Sequence, residues 1–158
     1  MPVTDDIVQS WWRPRVVIRR HMKRGVSEAW AFSLLVAFLV LVFIAQAPGL
    51  ARAAVAQPEV PLVQRLVAMG LALIATIPAW YLVAAVSHLV ARAMGGRGGY
   101  YGARLAVFGA LLTVIPGMLL QGMVAGFIGP GAQLQVLAAV VAVAFFWIWL
   151  SMLIEVER

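Results

Sequence analysis

Only two histidines, six carboxylates and no cysteine are available to this 158-residue chain for acid–base, nucleophilic or metal chemistry. Ser87 and His88 stand side by side, the residue types of a nucleophile and its base. Adjacent side chains on a helix point about 100° apart, so this pair cannot close as a dyad, and neither a nucleophile elbow nor a carboxylate partner surrounds it. A haem held by two histidines would need His88 and His21 together, yet His21 lies outside the apolar blocks and pairing would have to cross subunits. The missing cysteines remove disulfides, thiolate nucleophiles and Cys-based zinc sites. The chain is therefore read as non-enzymatic, with no cofactor and no metal. His88 falls about one turn before Arg92 and is read as an interfacial histidine bonded to a neighbouring helix or carbonyl. With Arg97 and Arg104 it makes up the polar residues available to a function.

A membrane-embedded helix bundle must position these residues. Apolar residues make up 64% of the chain and charged ones 11%, with a mean hydropathy of +0.97, where a soluble domain carries about 25% charged residues. The apolar residues fall into continuous blocks at about 29–47, 66–91, 105–128 and 134–154, each long enough for the roughly 20 residues that cross a hydrocarbon core. Ser27 is the expected N-cap of the first span with Glu28 in its first turn, and Pro48-Gly49 its expected end. The stretch to Arg65, with Pro48, Pro58 and Pro61, reads as an external loop holding a short helical piece around 50–56. The glycine-rich Gly95-Gly96-Arg97-Gly98-Gly99 is a turn, and Gly129-Pro130-Gly131 a tight hairpin. The expectation is an all-α, polytopic transmembrane bundle of about four spans, divided into a basic segment, 1–27, and a membrane domain, 28–158.

Orientation follows from where Lys and Arg lie. With four spans, ten of the twelve cations share the side that holds both termini and the second connection, leaving Arg52 and Arg65 opposite. The positive-inside rule places that basic side, and both termini, in the cytoplasm. Ala45-Gln46-Ala47 resembles a signal-peptide cleavage site, but the apolar run before it is nineteen residues long and Pro48 would follow the cut. An uncleaved anchor in a cytoplasmic (bacterial inner) membrane is expected instead. Net charge +6 follows from this topology signal, so nucleic acid is not an expected partner.

Within 1–27, Ile7, Trp11, Ile18 and Met22 cluster on one side of a helical wheel, opposite Arg13, Arg20 and Arg24. That pattern suits an amphipathic helix in the headgroup plane, split where Pro14 starts a new helix. Trp11, Trp12, Arg13, Arg15, Arg19, Arg20, Lys23 and Arg24 are its candidate lipid- or partner-binding residues, each cation adding about 1 kcal/mol near an anionic leaflet. Their first role is to set topology. No charged residue lies inside the four blocks, which argues against proton relays and against small antiparallel exporters that need an intramembrane carboxylate. Pro78 and Pro116 fall near the middle of their spans and predict kinks. Gly109 and Gly117, the Gly122/Gly126 pair, and Ala138 with Ala142 are small-residue rows suited to close helix packing, either within the chain or with another protein.

Trp12-Arg13-Pro14-Arg15 with Arg19-Arg20, Ser87-His88-Leu89, Gly95-Gly96-Arg97-Gly98, Tyr100-Tyr101-Gly102-Ala103-Arg104 and Pro116 resemble the bacterial branch of the YIP family, the Ypt/Rab-interacting multi-span proteins. Such proteins usually show five spans, against four blocks here. In eukaryotes the resemblance implies GTPase binding and membrane traffic or shaping; bacterial relatives lack that machinery. The leading functional expectation is a scaffold or accessory subunit that packs against a membrane-protein partner or a second copy, in contact with membrane lipids. The alternative is a small transport or permeation unit built around Pro78 and Pro116.

Overall fold

A computed structural model describes residues 3–158, and the described residues are helix and turn throughout. The elements are α1 (Val3–Trp12), α2 (Pro14–Met22), α3 (Glu28–Ala56), α4 (Leu62–Ala75), α5 (Ile77–Ala93), α6 (Tyr100–Thr113), α7 (Ile115–Phe127) and α8 (Ala132–Val156). Four of the resulting segments are long and apolar enough to cross a membrane: α3, α4 with α5, α6 with α7, and α8. The shortest has 25 residues and the longest 32, so they measure about 37 to 48 Å against a core of about 30 Å. Their ends project beyond hydrocarbon, which is where Glu28, Arg92, Arg104 and Glu155 sit.

Local chemistry explains most boundaries. Ser27 is extended and its hydroxyl accepts the Trp30 N–H, starting α3 at Glu28. Pro14 occupies the first position of α2, where its missing N–H costs nothing. The first span corrects the expectation of an end at Ala47: α3 continues through Pro48 and Gly49 to Ala56. One lost hydrogen bond does not stop a helix that α7 clamps on both sides of the proline. Pro78 and Pro116 fall where the second and third spans are interrupted. Each stands in the first turn of a new helix, α5 or α7, after a joint at Thr76 or Val114. At these joints the Thr76 hydroxyl donates to the Leu73 carbonyl and the Thr113 hydroxyl to the Gly109 carbonyl.

At the end opposite the termini, two arginines satisfy carbonyls that have no helical partner. Arg52 donates to the Gly126 and Phe127 carbonyls at 3.2 Å, closing the end of α7, and Arg65 donates to the Val60 and Gln57 carbonyls. Gly129, at φ +97°, makes the turn into α8.

The core is built where α3, α6 and α8 meet. Leu34, Leu35 and Phe38 of α3 pack with Leu105, Phe108 and Leu111 of α6 and with Ile148 and Met152 of α8. The Gly122/Gly126 pair packs on the first span, not across the short hairpin on the fourth. A Cβ on Gly122 would overlap the Ala45 carbonyl oxygen, and one on Gly126 would come 2.5 Å from Pro48 Cβ. Gly117 faces Val141 of α8, and Gly109 faces Met152 at an ordinary 3.6 Å. Ala138 and Ala142 are exposed on the outer face of α8. Pro78 and Pro116 are exposed too. The bundle inside them is filled by Phe38 edge-on to Trp80 and Tyr81 edge-on to Phe108, so the two prolines do not face a shared channel.

The contacts give a graded expectation for glycine substitution. Gly122→Val forces backbone apart between α3 and α7 and should cost about 1–3 kcal/mol or more, whereas Gly109→Ala should change stability by less than about 0.5 kcal/mol. Denaturant unfolding of both variants in bicelles measures the difference, and equal stabilities would contradict this packing.

Candidate functional site at the basic end of the bundle

Residues 3–27 do not form a detached arm. α1 and α2 are an antiparallel hairpin turned at Arg13, and Val17 and Ile18, each 2% exposed, rest against α6 and α8. Of the expected apolar face, Ile18 is buried and Ile7 partly so, whereas Trp11 and Met22 stay exposed. Asp6 is the centre of this contact: one carboxylate oxygen accepts from Arg20 at 2.7 Å and the other lies 3.2 Å from His21 Nε2. Arg20 also donates to Gln9, and Ser10 donates to the Asp6 carbonyl. Trp30, at the start of α3, donates its indole N–H to His21 Nδ1 at 3.3 Å and stacks on the same ring. An Nδ1 that accepts and an Nε2 that faces a carboxylate describe a neutral imidazole. Burial holds the His21 pKa below its ordinary value; Asp6 opposes that shift, and Arg24 and Arg20 add to it.

At the hairpin tip, Trp11 donates its indole N–H to the Thr113 carbonyl at 3.0 Å, directly at the joint between α6 and α7. Arg19 pairs with Glu155 of α8. Of the eight N-terminal candidates, Arg19 and Arg20 are therefore used internally, and Trp11 reaches the joint. Trp12, Arg13, Arg15, Lys23 and Arg24 are exposed, with Arg24 lying over the Trp30 ring at 5.5 Å.

The second cluster joins the end of α5, the glycine-rich loop and the C-terminal residues. His88 is 1% exposed, and its Nδ1 lies 2.7 Å from Glu157 Oε1. Its ring packs against Tyr100 at 4.3 Å. The other Glu157 oxygen accepts the Gly98 N–H at 3.2 Å, and the Glu157 carbonyl accepts the Arg97 N–H at 2.7 Å. Glycine at position 98 is needed because a Cβ there would overlap the Val156 carbonyl. Arg104 pairs with Glu28 and lies over the Tyr81 ring at 5.6 Å, tying the starts of α3 and α6 to α5. Sequence reasoning selected His88, Arg97 and Arg104 but missed Asp6, Glu155 and Glu157. The available signal was the rarity of acids: few carboxylates sit beside many cations, so each is a strong candidate for pairing.

Beside this cluster, α5 and α8 diverge and leave a groove of about 970 Å³, bounded at its loop end by Arg97 and Arg158. Under the N-terminal hairpin the remaining void is only about 30 Å³. Among the described residues no three His, Cys, Asp or Glu side chains gather as a metal site. The polar groups at this end lock elements together.

Four apolar helical segments with one end fastened by polar side-chain contacts define an integral membrane helix bundle. The chain matches the family model described as Yip1 domain over residues 8–156 and belongs to that family. Neither a curated protein nor a solved structure matches it.

Two measurements probe the fastenings. Glu157→Ala leaves His88 buried without its partner, at a cost of about 1–3 kcal/mol, and should raise hydrogen exchange at the Arg97 and Gly98 amides while exchange in α3 stays slow. Unchanged exchange at those amides would remove Glu157 as the clamp. For His21, the docked form resists a proton that the undocked imidazole accepts, so docking is fully favourable above about pH 6.5 and weakens as pH falls below it toward the lowered pKa. Trp fluorescence or exchange in α2 should report loosening over that window in the native chain and a flat profile in His21→Gln.

Proposed function

We propose that this Yip1-family chain is a non-enzymatic membrane scaffold or accessory protein that docks a membrane-protein partner or a second copy along its second span. The observation that carries the reading is that α4 has no buried residue, and the most apolar stretch of Leu62–Ala93 has none either. The first and third spans supply most of the core, whereas the second adds little and presents Val63, Val67, Leu71 and Ile74 outward. In a bilayer, apolar side chains gain nothing by leaving lipid for protein, so association rests on close packing and small residues. Ala68, Gly70, Ala72 and Ala75 give the same span that small-residue character. The ten-to-two cation distribution supports placing the fastened end, with both termini, in the cytoplasm. The exposed cations Lys23 and Arg24, at the turn between α2 and α3, then lie on that membrane surface.

Because the chain has no cysteine, single cysteines report cleanly. Cysteines placed at Val67, Leu71 and Ile74 in native membranes should give bifunctional-maleimide crosslinks to one defined protein species, while cysteines on the inner side of α3 give none. A cysteine at Gly99 should be shielded from an impermeant maleimide in intact cells, and one at Glu59 labelled. Uncrosslinked monomer at all three rim positions would overturn the docking reading, and the reverse labelling would overturn the orientation.

A further inference from the structure

The groove between α5 and α8 combines an apolar wall with an uncompensated basic rim. Leu82, Val86 and Val90 line one side and Leu150, Leu153 and Ile154 the other. From Leu82 to Met94, α5 advances about 18 Å, close to half of a hydrocarbon core of about 30 Å. The groove therefore has the depth of one leaflet's acyl region.

Its rim differs from the rest of the basic end. Arg19, Arg20 and Arg104 have carboxylate partners. Glu157, the carboxylate that lines the groove, is turned inward to His88 and the Gly98 N–H. Arg97 and Arg158 are exposed at the mouth and have no ion-pair partner among the described residues. Two turns inward, Trp149 lines the same groove.

An anion at the mouth and a long apolar chain beneath it are the parts of a phospholipid. We propose that this groove holds one anionic phospholipid from the leaflet at the basic end. Its phosphate lies between Arg97 and Arg158, and one acyl chain lies between α5 and α8. A zwitterionic headgroup fits less well, because its ammonium would lie beside Arg97 and Arg158. The site is independent of the docking role assigned to α4, since the two lie on different helical surfaces and neither requires the other.

Native mass spectrometry of the full chain, released from mild detergent with phosphatidylglycerol or phosphatidylcholine of identical acyl chains, tests the site. One phosphatidylglycerol should be retained in preference to phosphatidylcholine. Arg97→Gln and Arg158→Gln should each lower that retention by about fivefold, whereas the Arg13→Gln/Arg15→Gln pair, which removes the same charge away from the groove, should leave it unchanged. Ala91→Trp fills the groove with both arginines in place and should abolish retention of either lipid. Circular dichroism should show the same helicity for every variant. Equal retention of the two lipids would overturn the proposal, as would indifference to the groove substitutions. So would equal binding of glycerol phosphate, which would mark a simple anion site, or crosslinks placing a helix of a second copy in the groove.

Discussion

A backbone inside hydrocarbon has no water to bond its N–H and C=O groups, so each must find a partner within the protein. That requirement governs the helical spans and also the places where they fail. Proline removes a donor at position 78 and again at position 116, and both spans respond by ending one helix and starting another. Threonine hydroxyls bond back into the preceding turn at both joints. At the second joint a distant side chain, Trp11, supplies a donor to the Thr113 carbonyl. Arg52 and Arg65 meet the same demand at the far end of the bundle. Two cations that count only as a topology signal in the sequence are, in the fold, helix-end and loop caps.

Helices satisfied along their length still need a reason to associate, because lipid is as apolar as their side chains. Close approach supplies it. Gly122 and Gly126 bring α7 onto α3 at Ala45 and Pro48, and the contact is tight enough to keep α3 helical through its proline. With α3 occupied by α6 and α7, α4 is left at the rim with no buried residue. The exposed second span is thus a consequence of where the glycines lie in the third.

Charge is handled differently at the two ends. At the basic end, buried carboxylates join elements far apart in sequence: Asp6 holds the N-terminal hairpin, Glu155 ties α8 to α2, and Glu157 binds the glycine loop to α5. Burying such groups is favourable only when they have partners: both oxygens of Asp6 and of Glu157 have one, whereas Glu155 uses Oε1 alone and leaves Oε2 buried without one. The cations left over are at the surface, on the N-terminal hairpin and at the mouth of the α5–α8 groove. Surface chemistry toward lipid or partner falls to those residues.

The sequence by itself determined what depends on local composition: four spans of sufficient apolar length, the charge asymmetry between their ends, the Ser27 cap, the helix start at Pro14 and the breaks near Pro78 and Pro116. Hydrophobic length, capping and missing donors act within a few residues, so they are legible without neighbours. Only the tertiary structure decided that α3 survives Pro48, that Gly122 and Gly126 pack on the first span while Ala138 and Ala142 face outward, and that the N-terminal hairpin is folded onto α6 and α8. It likewise brought Asp6, Glu155 and Glu157 to the cations they hold. These outcomes turn on contacts between residues as far apart as Trp11 and Thr113 or His88 and Glu157, and such pairings leave no periodicity or spacing in the chain.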